Sequence, residues 1–196
     1  MGHLIYAAIT SLDGYVADAA GRFDWAAPDE EVHAFVNDLE RGIGTALYGR
    51  RMYEVMRAWQ TMGLDDDESA AGTPGAAIER DFAQLWRGQD KVVYSTTLAH
   101  VDTPRTRLER AFEPAAVAAL VRESSRDWSI GGPTLARHAL WAGLVDEVHQ
   151  LLTPVLVGGG TPCFPSGVSG RWTLLDERRF DSGVVHLHYT RAKGVG

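Results

Sequence analysis

Apolar residues fall in short runs along the first two thirds of the chain, and polar residues or glycine follow each run. Runs at residues 4–9 (LIYAAI), 43–48 (IGTALY) and 91–94 (KVVY) have the length of strands. The first is nearly continuous, which is typical of a strand buried on both faces. A fourth short strand is predicted at residues 128–130, just before Gly131.

Helical spacing appears between these strands. Residues 29–41 are predicted to form a helix with acids in the first turn, where the helix dipole favours them. Its apolar positions are Val32, Phe35, Val36 and Leu39. Residues 114–123 are predicted to form a helix opened by Pro114, whose missing N–H has no partner there in any case. Residues 60–79, which include the acidic run 65–68, are predicted to be a surface excursion.

The pattern changes in the last third of the chain. Residues 145–157 predict a long strand broken by Thr153 and Pro154, and residues 171–180 and 184–190 predict a hairpin. In the last strand, apolar positions (Val185, Leu187 and Tyr189) alternate with polar ones (His186, His188 and Thr190). The alternation predicts that the histidines lie on the wetter, solvent-facing side.

Strands that alternate with helices and then give way to a hairpin define an α/β fold class. We expect one domain over residues 1–196, with three α/β/α layers and a mostly parallel mixed sheet. The C-terminal hairpin is expected to be antiparallel at one edge of that sheet.

Composition narrows the function classes. The 19 basic and 26 acidic residues give a formal charge of −7, which leaves no electrostatic footprint for nucleic acid. The single cysteine, Cys163, cannot form an internal disulfide and suits a reducing compartment. The apolar runs are too short for a membrane span, and the N-terminus lacks the layout of a signal peptide. We expect a cytoplasmic protein with a small-molecule substrate and neither nucleic acid nor membrane as partner.

Two strand-to-helix junctions carry candidate chemistry. At the first, Gly131 and Gly132 expose backbone before a helix opened by Pro133, and a helix N-terminus favours an anion such as phosphate. A tight turn without a ligand explains this glycine pair equally well. At the second, Arg50 and Arg51 lie at the start of a helix, which favours phosphate contact over plain surface charge. We expect Gly131→Val to abolish dinucleotide binding and leave the fold intact.

Four segments in order resemble one family. Residues 7–15 (AAITSLDGY), 47–54 (LYGRRMYE), 130–132 (IGG) and 151–162 (LLTPVLVGGGTP) are similar to the dihydrofolate reductase-like superfamily, and most similar to the RibD C-terminal family. The resemblance covers nearly the whole chain. It implies an eight-stranded or similar sheet, a homodimer, and NADPH-dependent hydride transfer to a C=N or C=O bond of a heterocyclic or sugar-derived substrate. The riboflavin-pathway activity it suggests is 5-amino-6-(5-phosphoribosylamino)uracil reductase, although a pterin or an unrelated carbonyl substrate stays open.

The resemblance also implies a cofactor site. Its nicotinamide end is assigned to Ala8, Leu12, Gly14 and Tyr15, its phosphates to Gly49, Arg50 and Arg51, and its adenosine ribose to Ser95 and Thr96. Its pyrophosphate is assigned to Ile130, Gly131, Gly132, Pro133, Thr134 and Leu135. Two positions depart from the family pattern: Met52 stands in place of a threonine and Thr96 in place of an arginine that pairs with the 2′-phosphate. NADH is therefore possible in place of NADPH.

Three acids are candidates for the proton needed at the reduced atom. Glu30 stands two residues after Pro28 in a segment (WAAPDE) that resembles the proton-donor segment of dihydrofolate reductases, with Asp29 beside it. Asp13 is a further candidate near the nicotinamide. Each has a simpler explanation, since acids suit a first helical turn and Asp suits a turn before glycine. Trp25 and Tyr53 are candidate substrate-binding residues or core residues.

The sequence gives less support to other classes of function than to a reductase. Five histidines (His33, His138, His149, His186 and His188) show no metal-ligand spacing apart from the i, i+2 pair on the last strand, so no metal is expected. One cysteine cannot supply the ligands of a zinc deaminase. The remaining alternative is a non-catalytic dinucleotide- or pterin-binding protein on the same fold.

Overall fold

A computed structural model describes residues 1–64 and 73–192, so the predicted acidic run 65–68 lies outside the described residues. Ten strands and five α-helices form this part of the chain. The strands are β1 (Leu4–Thr10), β2 (Tyr15–Asp18), β3 (Ile43–Gly49), β4 (Asp90–Tyr94), β5 (Thr106–Glu109), β6 (Asp127–Gly131), β7 (Glu147–Leu152), β8 (Gly160–Pro162), β9 (Trp172–Arg179) and β10 (Val185–Arg191). The helices are α1 (Glu30–Glu40), α2 (Arg50–Met56), α3 (Pro74–Gly88), α4 (Pro114–Glu123) and α5 (Pro133–Trp141).

One eight-stranded sheet organises the chain, in the order β5-β4-β3-β6-β1-β7-β10-β9. The six strands from β5 to β7 in this order run parallel to one another, whereas β10 is antiparallel to both β7 and β9. The predicted mostly parallel mixed sheet with a C-terminal hairpin is confirmed.

Helices cover both faces of the sheet, which confirms the three-layer prediction. On one face, α4 and α5 bury Val117 and Leu135 against β1 and β6. On the other, α1 buries Val32, and α3 buries Phe82 and Trp86. Within the described residues, no helix combines the length and the apolar character needed to cross a membrane.

The helix over residues 29–41 was predicted with accurate bounds. Asp29 is its N-cap, and the Asp29 Oδ1 atom accepts a hydrogen bond of 2.8 Å from the Val32 N–H. The predicted helix over residues 114–123 is α4, with Pro114 in its first turn.

The prediction of a surface excursion over residues 60–79 was wrong at its C-terminal end, because α3 begins at Pro74. Thr73 caps this helix by accepting a hydrogen bond of 3.3 Å from the Ala76 N–H, and Pro74 occupies the first helical position. A cap residue followed by proline is a helix-start signal. The small and polar residues around Thr73 and Pro74 concealed this signal in the sequence.

Strand β7 ends at Leu152, five residues earlier than predicted. Thr153 makes the last contacts with β1: its N–H and its hydroxyl donate to the Thr10 carbonyl at 2.8 and 2.9 Å. Pro154 has no N–H and cannot continue the ladder. The chain instead forms β8, which pairs antiparallel with β2 in a small second sheet that the sequence did not predict.

The prediction that the histidines of the last strand face solvent was wrong. His186 is only 1% exposed, and its ring centroid lies 4.6 Å from that of Phe35 on α1. His149 on β7 is also buried, and burial lowers the pKa of both imidazoles to about 4. The alternation itself is real, but Phe35 of α1 covers His186, and His188 on the same face is half-buried.

Two glycines cap helices at the same edge of the sheet with different backbone conformations. Gly132 before α5 has φ +87° and ψ 125°, whereas Gly49 before α2 has φ −74°. A Cβ atom on Gly49 would meet Leu135 Cβ at 3.6 Å, an ordinary contact. Of these two positions, only residue 132 has a backbone conformation that favours glycine.

We expect Gly132→Ala to lower the free energy of unfolding by about 1–3 kcal/mol more than Gly49→Ala, which is the cost of a strained backbone conformation. Both changes lose a glycine N-cap, so the cap effect cancels between them. Urea unfolding of the two variants measures the difference. Equal losses would show that the Gly132 conformation relaxes freely.

Candidate functional site

The carboxyl ends of four adjacent parallel strands meet at one edge of the sheet. In the order β4, β3, β6 and β1, these strands end at Tyr94, Gly49, Gly131 and Thr10. Ligands of open α/β sheets bind outside the carboxyl ends of the strands. Both predicted glycine junctions are therefore neighbours at the edge where this architecture places ligands.

Side chains of β3 and α2 pack closely against the turn at Gly131. A Cβ atom on Gly131 would lie 3.0 Å from Tyr48 Cδ1 and 3.2 Å from Met52 Cγ. Packing therefore favours glycine at this position whether or not a ligand lies beside it, because a Cβ atom would have to displace Tyr48 or Met52 by a few tenths of an ångström. A branched side chain there would press on Tyr48 and Met52, so Gly131→Val is expected to alter the fold as well as the site.

The other residues of this junction divide into buried and exposed groups. Ile130 and Leu135 are 1% and 6% exposed and belong to the core. Pro133 is in the first turn of α5, and Thr134 is exposed beside it. At this junction a ligand would therefore meet backbone and the Thr134 side chain.

The two predicted arginines differ in their contacts. Arg50 Nε donates to Glu54 Oε1 at 2.7 Å, and its Nη1 donates to Thr97 Oγ1 at 3.0 Å. Arg51 is exposed, and no residue of the described chain forms an ion pair or hydrogen bond with its guanidinium. Arg50 thus ties the end of β3 to the loop after β4, while Arg51 is available to an anion.

The loop after β4 is held by a residue that the sequence did not single out. Arg110, directly after β5, donates from Nη1 to the carbonyls of Ser95 and Leu98 at 3.0 and 2.6 Å. Ser95 is buried, and its hydroxyl accepts from the Leu98 N–H at 3.0 Å, whereas Thr96 is exposed. Ser95 therefore shapes the loop and Thr96 lies at its surface. The strand before it, β5, was not predicted, and its partners are backbone carbonyls, so no pattern in the sequence pointed to Arg110.

The loop after β1 is tied to the loop before β8 by Asp13. Its carboxylate accepts hydrogen bonds from the Val157 and Gly158 N–H groups at 3.2 and 2.8 Å. A hydrogen bond with Ser11, together with these two, lowers the pKa of Asp13 below its ordinary value. Asp13 therefore acts as an ionised acceptor that holds the loop, which is a poor state for a proton donor.

The residues assigned to the nicotinamide end surround this loop. Ala8 is half-buried against the core, and Leu12 is 58% exposed. Gly14 has φ +85°, and a Cβ atom there would meet nothing within 4 Å. The Tyr15 N–H donates to the Ser11 hydroxyl at 2.9 Å. The loop thus presents apolar surface and bare backbone at the end of β1.

The two acids at the start of α1 have different roles. The N-cap hydrogen bond from Val32 lowers the pKa of Asp29, so this carboxylate is ionised and engaged as a cap. Glu30 is exposed, and a Cβ atom on Gly75 would lie 3.1 Å from its Oε1. Of the three predicted acids, Glu30 is the one whose carboxylate accepts no backbone hydrogen bond within residues 1–64 and 73–192.

The two candidate substrate-binding aromatics also differ. Tyr53 is 1% exposed, and its hydroxyl donates to Asp102 Oδ1 at 2.7 Å, so it supports the core beneath α2. Trp25 is half-exposed in a short 3₁₀ turn, and its Nε1 donates to the Arg22 carbonyl at 3.3 Å. Only the Trp25 ring is accessible to a ligand.

A surface depression lies at the opposite, amino edge of the sheet. Its lining includes Asp90, Lys91, Arg105 and Trp128, and it contains none of the predicted site residues. The glycine turn and the accessible arginine lie at the carboxyl edge, away from this depression.

Fold and site together define an α/β domain of the dihydrofolate reductase-like fold. Dihydrofolate reductase from Enterococcus faecalis, complexed with NADP(H), has the same fold at a TM-score of 0.61 and 14% identity, with 98% of each chain covered. The crystal structure of a protein from Shewanella sp. PV-4 that is assigned to riboflavin biosynthesis is also similar. Its TM-score is 0.72 at 22% identity, and the comparison covers 97% of this chain and 99% of that one.

The sequence profile of the RibD C-terminal domain matches residues 2–186, and the chain belongs to this family of reductase-type enzymes. Among curated proteins, YyaP of Bacillus subtilis (strain 168) is 29% identical over 183 residues, which cover 91% of this chain and 89% of YyaP. The family predicted from four short segments is confirmed.

We expect Asp29→Ala to lower the free energy of unfolding by about 1 kcal/mol, since it removes the side-chain cap of α1. Asp29→Asn is the matched control, because asparagine caps helices as well as aspartate does. Urea unfolding of both variants tests this. An equal loss in Asp29→Asn would mean that the charge of Asp29, and not its capping hydrogen bond, stabilises the helix.

Proposed function

We propose that this protein is an NAD(P)H-dependent reductase that transfers hydride to a C=N or C=O bond of a small heterocyclic or sugar-derived compound. One observation carries the proposal: Arg51, the Gly132 turn at the start of α5 and the loop after β1 lie at the carboxyl ends of the adjacent strands β3, β6 and β1. This arrangement offers a cation, a helix N-terminus and an apolar surface along one edge.

The donor set at this edge suits a dinucleotide. Arg51 has an exposed guanidinium, which binds phosphate bidentately, and the N-terminus of the nine-residue helix α5 favours an anion. These groups would hold the phosphates, and the surface around Leu12 and Gly14 would hold the nicotinamide. The cofactor supplies hydride when it is bound. The chain supplies orientation and the exclusion of water.

We propose NADPH as the preferred cofactor, with Arg51 as the group that favours the additional phosphate. Arg50 is already engaged by Glu54 and Thr97, and Thr96 offers only a hydroxyl. Cofactor preference therefore depends on one arginine. NADH binding is expected to be weaker but measurable.

We propose that Glu30 is the catalytic acid at the substrate side of the site. Asp13 and Asp29 are ionised and held by backbone N–H groups, whereas Glu30 has no such bond among the described residues. A carboxyl group needs a proton to donate, and a group already committed to N–H donors is stabilised in its charged form.

A second candidate function is a dinucleotide-binding protein that catalyses no reduction. Met52 favours it, because a thioether side chain packs against the Gly131 and Gly132 turn where the family pattern has a hydroxyl. Turnover with a panel of aldehydes, ketones and cyclic imines separates this candidate from the reductase. Cofactor binding without oxidation of NADPH by any compound would favour it.

Arg51→Ala is expected to weaken NADPH binding by about 10- to 100-fold, the worth of a charge-assisted hydrogen bond to phosphate. NADH binding should weaken less, because it lacks the 2′-phosphate. Fluorescence titration of the nicotinamide measures both affinities.

The control for Arg51→Ala is Arg171→Ala, which removes the same charge from an exposed residue just before β9. Its affinity for NADPH should stay within about twofold of the original protein. If both variants lose the same affinity for NADPH, the loss comes from the change in net charge, and Arg51 does not contact the cofactor.

Glu30→Gln is expected to reduce kcat by about 10²- to 10⁴-fold and leave NADPH affinity unchanged, because the amide cannot donate a carboxylic proton. Glu31→Gln is the control, since Glu31 lies one residue away and binds Arg178 Nη2 at 2.8 Å on the outer surface. Steady-state kinetics with the best compound of the panel measures both variants. Full activity of Glu30→Gln would exclude Glu30 as the acid.

A further inference from the structure

A polar cluster lies on the sheet far from the cofactor edge. Glu147 and His149 are two residues apart on β7, so their side chains share one face of the sheet. His188 on β10 is directly paired with His149 across the antiparallel ladder. Three side chains with metal-binding atoms therefore meet on one face.

The donor atoms of the cluster are close together. His188 Nε2 lies 2.8 Å from Glu147 Oε2, and His149 Nε2 lies 3.9 Å from the same oxygen. One donor atom from each residue falls within 4.8 Å of the other two. We propose that Glu147, His149 and His188 form a binding site for a divalent transition metal, with Zn²⁺ as the expected ion.

The chemistry of the donors favours zinc over magnesium or calcium. Two imidazoles and one carboxylate are typical zinc ligands, whereas Mg²⁺ and Ca²⁺ prefer oxygen donors alone. Tetrahedral zinc with bonds of about 2.0–2.1 Å needs donor atoms about 3.3 Å apart. The observed spacings lie on both sides of this value, so binding requires a local rearrangement.

The rearrangement falls on His188. Its ring stacks on that of His149 with centroids 4.0 Å apart, and its Nε2 atom lies closer to Glu147 Oε2 than a tetrahedral zinc site allows, so the ring must shift away from that oxygen. The side chains of His188 and Glu147 are 20% and 18% exposed, which leaves room for this movement and a path for the ion. A neutral His188 then carries its proton on Nδ1 and presents the Nε2 lone pair to the metal.

His149 is already oriented for this role. Its Nδ1 lies 2.9 Å from Nε2 of the buried His186, which fixes the ring and directs the other nitrogen towards Glu147. Metal-binding histidines are commonly held in this way through their second nitrogen. When Nδ1 is the donor, the Nε2 lone pair of His149 faces the carboxylate with no proton between them. A cation satisfies that arrangement.

His3 completes the surroundings of the cluster. Its Nδ1 lies 2.8 Å from the other carboxylate oxygen, Glu147 Oε1, and its side chain is 54% exposed. His3 orients the carboxylate or supplies a fourth ligand. In either role the bound metal would connect the N-terminal segment, β7 and β10.

The proposed metal site is independent of the reductase site. Glu147 is the first residue of β7, and the strand runs to Leu152 near the cofactor edge. Five residues of extended strand span roughly 17 Å. The metal is therefore expected to stabilise the hairpin and not to take part in hydride transfer.

The test uses tag-free, chelator-treated full-length protein and Zn²⁺ as the probe in isothermal titration calorimetry. We expect one zinc ion per chain and a Tm rise of about 5 °C at saturating zinc. His188→Gln should weaken zinc binding at least tenfold. His100→Gln, which changes an exposed histidine outside the cluster, should bind zinc as the original protein does.

Co²⁺ provides a measurement on the unaltered protein, so the test does not depend on the folding of a variant. An intense visible absorption, typical of four- or five-coordinate cobalt, that zinc displaces would support the proposal. Absence of zinc binding, a weak six-coordinate cobalt spectrum, or equal loss of binding in His188→Gln and His100→Gln would overturn it.

Discussion

The parallel pairing of β1 with both β6 and β7 is the constraint on which the rest of the structure depends. Strands that run in the same direction in one sheet must place their carboxyl ends at the same edge. The loop after β1 and the turn after β6 are therefore neighbours, although about 120 residues separate them in the chain. Pairing of backbone amides, and not attraction between the site residues, assembles this edge.

Several residues at this edge have structural roles beside the binding roles proposed for them. Gly131 is closely packed by Tyr48 and Met52, and Asp13 and Asp29 hold a loop and a helix. The proposed site is built largely from backbone and needs such supports, since a loop that moves cannot orient a cofactor. Arg51 and Glu30 are exposed charged side chains of the candidate site, and no side-chain hydrogen bond engages either of them among the described residues.

Features that depend on residues close in the sequence were predicted better than contacts between distant segments of the chain. The apolar runs, the helical spacing with acids at the start of α1 and the order of four family segments were enough for the sheet, α1 and the family. The β2 and β8 pair was missed because its residues alternate poorly and pair only across the chain. In the candidate site, Arg110 was missed because its partners are carbonyls, which no sequence pattern reveals.

The histidines of β10 show most clearly why the alternation of apolar and polar residues was not sufficient to predict burial. Alternation assigns side chains to the two faces of β10, but which face is covered depends on where α1 packs. Burial of His186 against Phe35, with His149 as its hydrogen-bond partner, places imidazoles in a space that aliphatic side chains usually occupy. Buried polar groups need partners, and His186 Nδ1 has none among the described residues. His186 holds Nδ1 of His149 and is itself packed against Phe35, so the orientation of His149 in the proposed metal site depends on the packing of α1 against the sheet.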